Sequence, residues 1–148
     1  MSRTETELGT VAMFEASGDT VEIIRVLLTE AGASQSLIHC PFADLKRGIT
    51  DFRKCLTSHN PEVVVFDISP PYAENWAFFT TVRDAAEMLG RGVVLTTTSK
   101  RQLDELGGED SHAVEVADTL MDRALLLQQI HAATRAARTA RRQVSDGS

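Results

Sequence analysis

The sequence predicts an α/β three-layer sandwich, a five-stranded parallel sheet with helices on both faces. Three observations carry that expectation. Val63, Val64, Val65 and Phe66 form an apolar run with no polar alternation, the pattern of a strand covered on both sides. Five strand candidates alternate along the chain with five helix candidates, and parallel strands need such crossover connections. The longer helix candidates carry their apolar residues at three- and four-residue steps, which gives each one a face to bury.

The elements follow in chain order. Thr10 to Phe14 reads as a first strand, and Glu15, Ala16, Ser17 and Gly18 as the loop behind it. Asp19 or Thr20 can cap a helix whose buried stripe is Val21, Ile24, Leu27, Leu28 and Ala31, with Gly32 as its stop. Ser36 to Cys40 is a short second strand, followed by Pro41 and a polar loop to Gly48. Ile49, Phe52, Cys55 and Leu56 mark a second helix, closed by His59, Asn60 and Pro61. The third strand runs into Asp67. After Pro70 and Pro71, a helix is expected from Trp76 to Leu89, with Phe78, Phe79, Val82, Ala85, Ala86 and Leu89 facing inward and Gly90 and Gly92 ending it. Val93, Val94 and Leu95 make a fourth strand that leads into Thr96, Thr97 and Thr98. Ser99 to Gly108 reads as a short helix and Ala113 to Ala117 as a fifth strand. The final helix places Leu120, Ala124, Leu127 and Ile130 or His131 on one face, widened by Leu125 and Leu126.

Size and composition bound the function. A chain of 148 residues has room for one domain with a substantial core and no second one. We divide it into a disordered leader over 1–9, a domain over 10–134 and a basic, polar tail over 135–148, where Arg135, Arg138, Arg141 and Arg142 follow one another without an acid. The net charge of −6 argues against a nucleic-acid binder, whose affinity rests on many cationic contacts to phosphate. No stretch has the roughly 18 apolar residues of a membrane span and no secretion signal is present, so the expectation is a cytoplasmic protein with no membrane partner. Cys40 and Cys55 lack CxxC spacing and are expected to be packed or free thiols. His39 beside Cys40 does not by itself make a metal site.

The chemistry-bearing residues fall at strand ends. Glu15 follows strand one, Asp67 ends strand three and Thr97 ends strand four, and in a parallel sheet these lie on one edge, where ligands bind. Two carboxylates and a hydroxyl there can hold a divalent cation, or serve Asp67 as a nucleophile toward a phosphoryl donor. The same aspartate also suits the start of a turn at Ser69-Pro70-Pro71, its side chain bonding nearby backbone amides. Position alone selects Thr97 from its neighbours Thr96 and Thr98, since all three are good strand and turn residues. Tyr72, in the loop beyond Asp67, can cover such a pocket or face a partner.

From about Thr10 to about Thr134 this order and spacing resembles the receiver domain of bacterial two-component response regulators, a flavodoxin-like fold. Asp67 with Pro71 four residues on matches the family's phosphoacceptor motif. Thr97, thirty residues beyond Asp67, matches its switch hydroxyl, and Glu15 matches the first acid of its acidic pair. The resemblance implies a stand-alone, non-enzymatic regulator acting in phosphorelay signal transduction, with a histidine kinase, a phosphorelay protein or another effector as partner. It implies Mg²⁺ held by Glu15, Asp67 and the Ser69 backbone carbonyl, and homodimerisation through the face from Ser99 to Ala133. Two departures weaken this. Ala16 stands where the second metal-binding acid belongs, and the strand-five lysine is missing, since Lys100 is the last lysine in the chain. A phosphorylated carboxylate needs its added charge compensated, so the losses leave open a phosphorylation-independent pseudo-receiver binding module. A small α/β phosphatase or hydrolase using Asp67 is a further alternative, although Ser69 replaces the second acid of a D-x-D pattern.

Overall fold

The computed structural model describes residues 10–15, 18–32, 37–41, 45, 51–106, 114–115 and 120–146. Five parallel strands form one sheet: β1 (Val11–Glu15), β2 (Leu37–Pro41), β3 (Val63–Ile68), β4 (Gly92–Thr97) and a two-residue β5 (Val114–Glu115). Their spatial order is β2-β1-β3-β4-β5, the order of flavodoxin-like doubly wound sheets. Every pairing is parallel.

The central strand explains itself. All six residues of β3 are buried, because it lies between β1 and β4 with helices over both faces. Side chains alternate along a strand, so Val64, Phe66 and Ile68 enter one core and Val63 and Val65 the other. The first core takes Cys55 and Leu56 from α2 (Phe52–His59), Phe79 and Val82 from α3 (Tyr72–Arg83) and Leu103 from α4 (Lys100–Glu105). Phe66 is its centre, edge-on to Phe14 at 5.1 Å and to Phe79 at 4.9 Å between ring centroids. The second core takes Ile24, Leu27 and Leu28 from α1 (Gly18–Glu30) and Leu126, Ile130 and Ala133 from α5 (Leu120–Asp146). The three layers are thus two separate apolar cores divided by the sheet.

Local signals act as read from the sequence at two helix ends. Gly32, at φ 77°, and Asn60, at φ 47°, both adopt the left-handed conformation that closes a helix. The Asp51 side chain caps α2 by accepting from the Arg53 amide at 2.9 Å.

Three expectations need correction. The third helix starts at Tyr72, not Trp76, and ends at Arg83; a 3-10 turn over Ala86–Met88 follows. Its first turn carries no apolar marker, since Ala73 and Glu74 are exposed and the inward residue is the polar Asn75. Because the helix has already ended, Leu89 projects into solvent at 83% exposure instead of facing the core. The buried stripe of α5 is Leu126, Ile130, Ala133 and Ala137, whereas Ala124 and Leu125 face outward. This helix runs on beyond Thr134. It continues through most of the basic segment, buries Ala137, and sends Arg138 to both oxygens of Glu62 at 3.0 Å each; Arg141 bonds Glu62 as well. The leader over 1–9 lies outside the described residues, as do Ile49, Ala113 and Ala117.

Gly92 permits this docking. A Cβ at that position would stand 2.4 Å from the Ala133 carbonyl oxygen, so the start of β4 and the middle of α5 approach as closely as backbones can. Arg91, next to it, donates to the carbonyls of Glu87, Pro61 and Leu56 and to the Asn60 side chain, tying three chain segments together below the sheet.

Candidate functional site

Asp67 is the next-to-last residue of β3 and is fully buried. It is a strand residue, paired with Thr96 of β4, and not the opening of a turn. Register decides its company. Directly paired residues on neighbouring strands project to the same face, so the Thr96 hydroxyl meets the carboxylate and donates to Oδ1 at 2.9 Å. Thr97 is paired with Ile68 instead, and its hydroxyl donates to the Ile68 carbonyl at 2.7 Å and accepts from the Ser99 amide at 3.2 Å. The β4 hydroxyl that meets Asp67 is therefore that of Thr96, while Thr97 projects to the other face. A thirty-residue separation fixes the strand, but a one-residue change of register exchanges the faces.

The residues after β3 close around the same carboxylate. The Ser69 hydroxyl donates to Asp67 Oδ2 at 2.9 Å, and Ser69 is itself buried. Its backbone carbonyl, expected to face a metal, accepts the Asn75 side-chain amide at 2.8 Å. Asn75 is buried in the first turn of α3 and was not foreseen as part of the site; a lone polar residue between Glu74 and Trp76 gives no periodic signal. The Pro70–Pro71 peptide is cis, and α3 begins directly after it. Tyr72 then shares a hydrogen bond of 2.8 Å with the Thr98 hydroxyl, joining the start of α3 to the end of β4 across the edge of the sheet.

Glu15 ends β1, one residue past the Phe14–Phe66 pair, so the backbone of β1 finishes beside Asp67. The Glu15 side chain and residues Ala16 and Ser17 lie outside the described residues. Lys100 opens α4 and is exposed.

Of the oxygens expected to hold Mg²⁺, the described residues supply those of Asp67 and the Ser69 carbonyl. That ion demands a near-octahedral set of oxygens, several of them waters. Here the two carboxylate oxygens accept hydroxyl bonds, the Ser69 carbonyl accepts an amide, and no three His, Cys, Asp or Glu among the described residues gather where they can hold a metal ion. What the arrangement does chemically is hold the Asp67 carboxyl group out of solvent with hydroxyl donors from Thr96 and Ser69 on its two oxygens.

No family profile matches the sequence, and no curated protein matches it. Among solved structures, the chain is similar to the bacteriophytochrome response regulator RtBRR, with a TM-score of 0.56 and 16% identity over 95% of each chain. It is also similar to the bacteriophytochrome response regulator AtBRR, with a TM-score of 0.55 and 17% identity over 86% of this chain and 94% of that one. No described helix is long and apolar enough to cross a membrane. A parallel α/β sheet in the order β2-β1-β3-β4-β5 with helices on both faces, matched over nearly its whole length, gives this chain the receiver-like fold of those response regulators.

Proposed function

We propose that the protein is a receiver-like signalling module that acts by binding a protein partner and does not depend on phosphorylation of Asp67. One observation carries this reading: Asp67 is fully buried, with hydroxyl bonds from Thr96 and Ser69 on its two oxygens. Phosphoryl transfer needs an in-line approach to one of those oxygens and a cation to take up the charge. Ala16 and the missing strand-five lysine remove two sources of such compensation. Asp67 then acts as a structural group that joins β3 to β4 and to the turn before α3, and the partner reads the surface this produces. The partners that suit such a module are a histidine kinase, a phosphorelay protein or another effector in the cytoplasm, and none of them requires catalysis by this chain.

A second reading has an observation of its own. Asp67 lies at the carboxyl edge of the sheet beside the end of β1 at Glu15, the place where a phosphoacceptor with Mg²⁺ on Glu15, Asp67 and the Ser69 carbonyl would sit. Incubation with acetyl phosphate and Mg²⁺, followed by intact mass, separates the two. The expected result is an unmodified chain under conditions that label an ordinary receiver domain. A phosphoryl adduct absent from Asp67→Asn would replace the first reading with the second and make Thr97 its switch hydroxyl to test. Under either reading the face from Ser99 to Ala133, where Leu125 is 42% exposed, is the proposed homodimer surface. Light scattering that shows a monomer at high concentration, with and without beryllium fluoride, would remove it.

A further inference from the structure

At the edge strand β2, the fold brings together two residues that the sequence keeps apart. Cys40 on β2 and Cys55 on α2 are both buried free thiols, and their sulfurs stand 2.6 Å apart across a separation of 15 residues. Both line a surface cavity of about 410 Å³ whose walls include His39, Asp51, Lys54 and His59. A disulfide requires sulfurs about 2.05 Å apart on side chains that face each other, so the pair needs only a small approach to bond. Access through the cavity distinguishes these thiols from inert core cysteines.

We propose that Cys40 and Cys55 form a reversible dithiol–disulfide site, oxidised through this cavity by a peroxide. Burial, with the hydrogen bond to Cys55 adding to it, pushes the Cys40 thiol up, and the proposal takes Cys55 as the attacking sulfur. The Cys55 sulfur attacks one peroxide oxygen; the O–O bond breaks, the leaving hydroxide takes up the Cys55 proton as water, and Cys55 becomes a sulfenic acid. The Cys40 sulfur then attacks the Cys55 sulfur. The S–S bond forms, the S–O bond breaks, and the Cys40 proton leaves with the departing hydroxide as water. In sum, two thiols and hydrogen peroxide give one disulfide and two waters. The product ties the edge strand β2 to α2, which restricts the unfolded chain and strengthens that side of the fold. In a reducing compartment the resting form is the dithiol and the crosslink is transient, as expected of a redox-responsive pair.

The site is independent of Asp67, so its test leaves the proposed function untouched. The full chain is reduced, freed of reductant and treated with stoichiometric hydrogen peroxide under native conditions, then alkylated and weighed. The expected product is about 2 Da lighter than the reduced chain, accepts no alkylating reagent, melts at a higher temperature, and returns to two reactive thiols with dithiothreitol. Cys40→Ser is expected to stop at a sulfenic acid on Cys55, trapped by dimedone. A native chain that keeps both thiols, gains oxygen without losing two hydrogens, or forms the crosslink only in urea would overturn the proposal. Wild-type mass alone decides this, so a poorly folded variant does not obscure the outcome.

Discussion

β3 carries a carboxylate at each end, and the two are held by opposite means. Glu62, just before the strand, is paired with Arg138 and Arg141 of α5, and the Arg138 hydrogen bond holds its carboxyl below the usual glutamate range against a smaller opposing effect of burial. Asp67, at the far end, is fully buried and receives hydroxyls from Thr96 and Ser69. The amino edge is built as an ion-pair anchor that docks a helix. At the carboxyl edge, hydroxyl donors from neighbouring residues fix the side chain in place. Two cationic side chains, Arg138 and Arg141, serve structure at the amino end.

Truncation after Thr134 is the strongest way to break this comparison. It removes Ala137, Arg138 and Arg141 and leaves a Glu62 side chain that is 15% exposed without these partners; a loss of roughly 3 kcal/mol in urea unfolding is expected. An unchanged midpoint would mean that residues 135–148 are only a tail and that α5 is docked by Leu126 and Ile130 alone. Gly92→Ala should follow at about 2–3 kcal/mol, since its Cβ meets a backbone carbonyl that cannot turn away. Wild-type stability in this variant would show that β4 and α5 can separate freely.

At the other edge, Thr96→Val should cost about 1.5–2 kcal/mol, because it withdraws a hydroxyl from a buried carboxylate, and Thr97→Val about 1 kcal/mol or less, because its acceptor is a neutral carbonyl. The reverse ranking in denaturant melts would make Thr97 the residue that supports Asp67. Glu62→Gln should lower stability at neutral pH by less than about 1 kcal/mol, since the pair is partly solvated. Its clearer effect is on pH dependence. A carboxyl held below its ordinary value of 4.5 in the folded chain contributes stability that is present above that pH and lost as pH falls through the lower folded value. The variant should therefore lose less stability than the wild type on acidification below about 4.5; parallel acid limbs would show that Glu62 is not the group responsible. Leu89→Ser should change stability by less than about 0.5 kcal/mol, as expected of a solvated side chain, despite its helical spacing from Val82 and Ala85.

Much of the fold was legible because it rests on short-range signals. The Val63–Phe66 run, the alternation of elements, and stops at Gly32 and Asn60 each depend on residues a few positions apart. Boundaries failed where a helix's first turn exposed small or charged residues and buried a polar one, as at Tyr72 to Asn75. The candidate site was legible to the strand and not to the residue. The sequence puts Asp67 at the carboxyl end of β3, but which of the three threonines meets it depends on the register between β3 and β4, which no spacing within one strand encodes. The Cys40–Cys55 contact was invisible for the same reason, since two thiols fifteen residues apart meet only when α2 packs against β2.

Sequence by itself determined that this chain is a parallel α/β domain with a carboxylate at the end of its central strand, because hydrophobic patterning and turn chemistry are local properties. Tertiary structure alone decided what that carboxylate touches: Thr96 through strand register, Ser69 through the turn into α3, and Asn75 behind them. It also decided that Arg138 and Arg141 of the last helix serve Glu62. Hydrogen bonds and ion pairs act over a few ångströms in space and are blind to separation along the chain, so the partners of Asp67 and Glu62 exist only once strands and helices have been brought together.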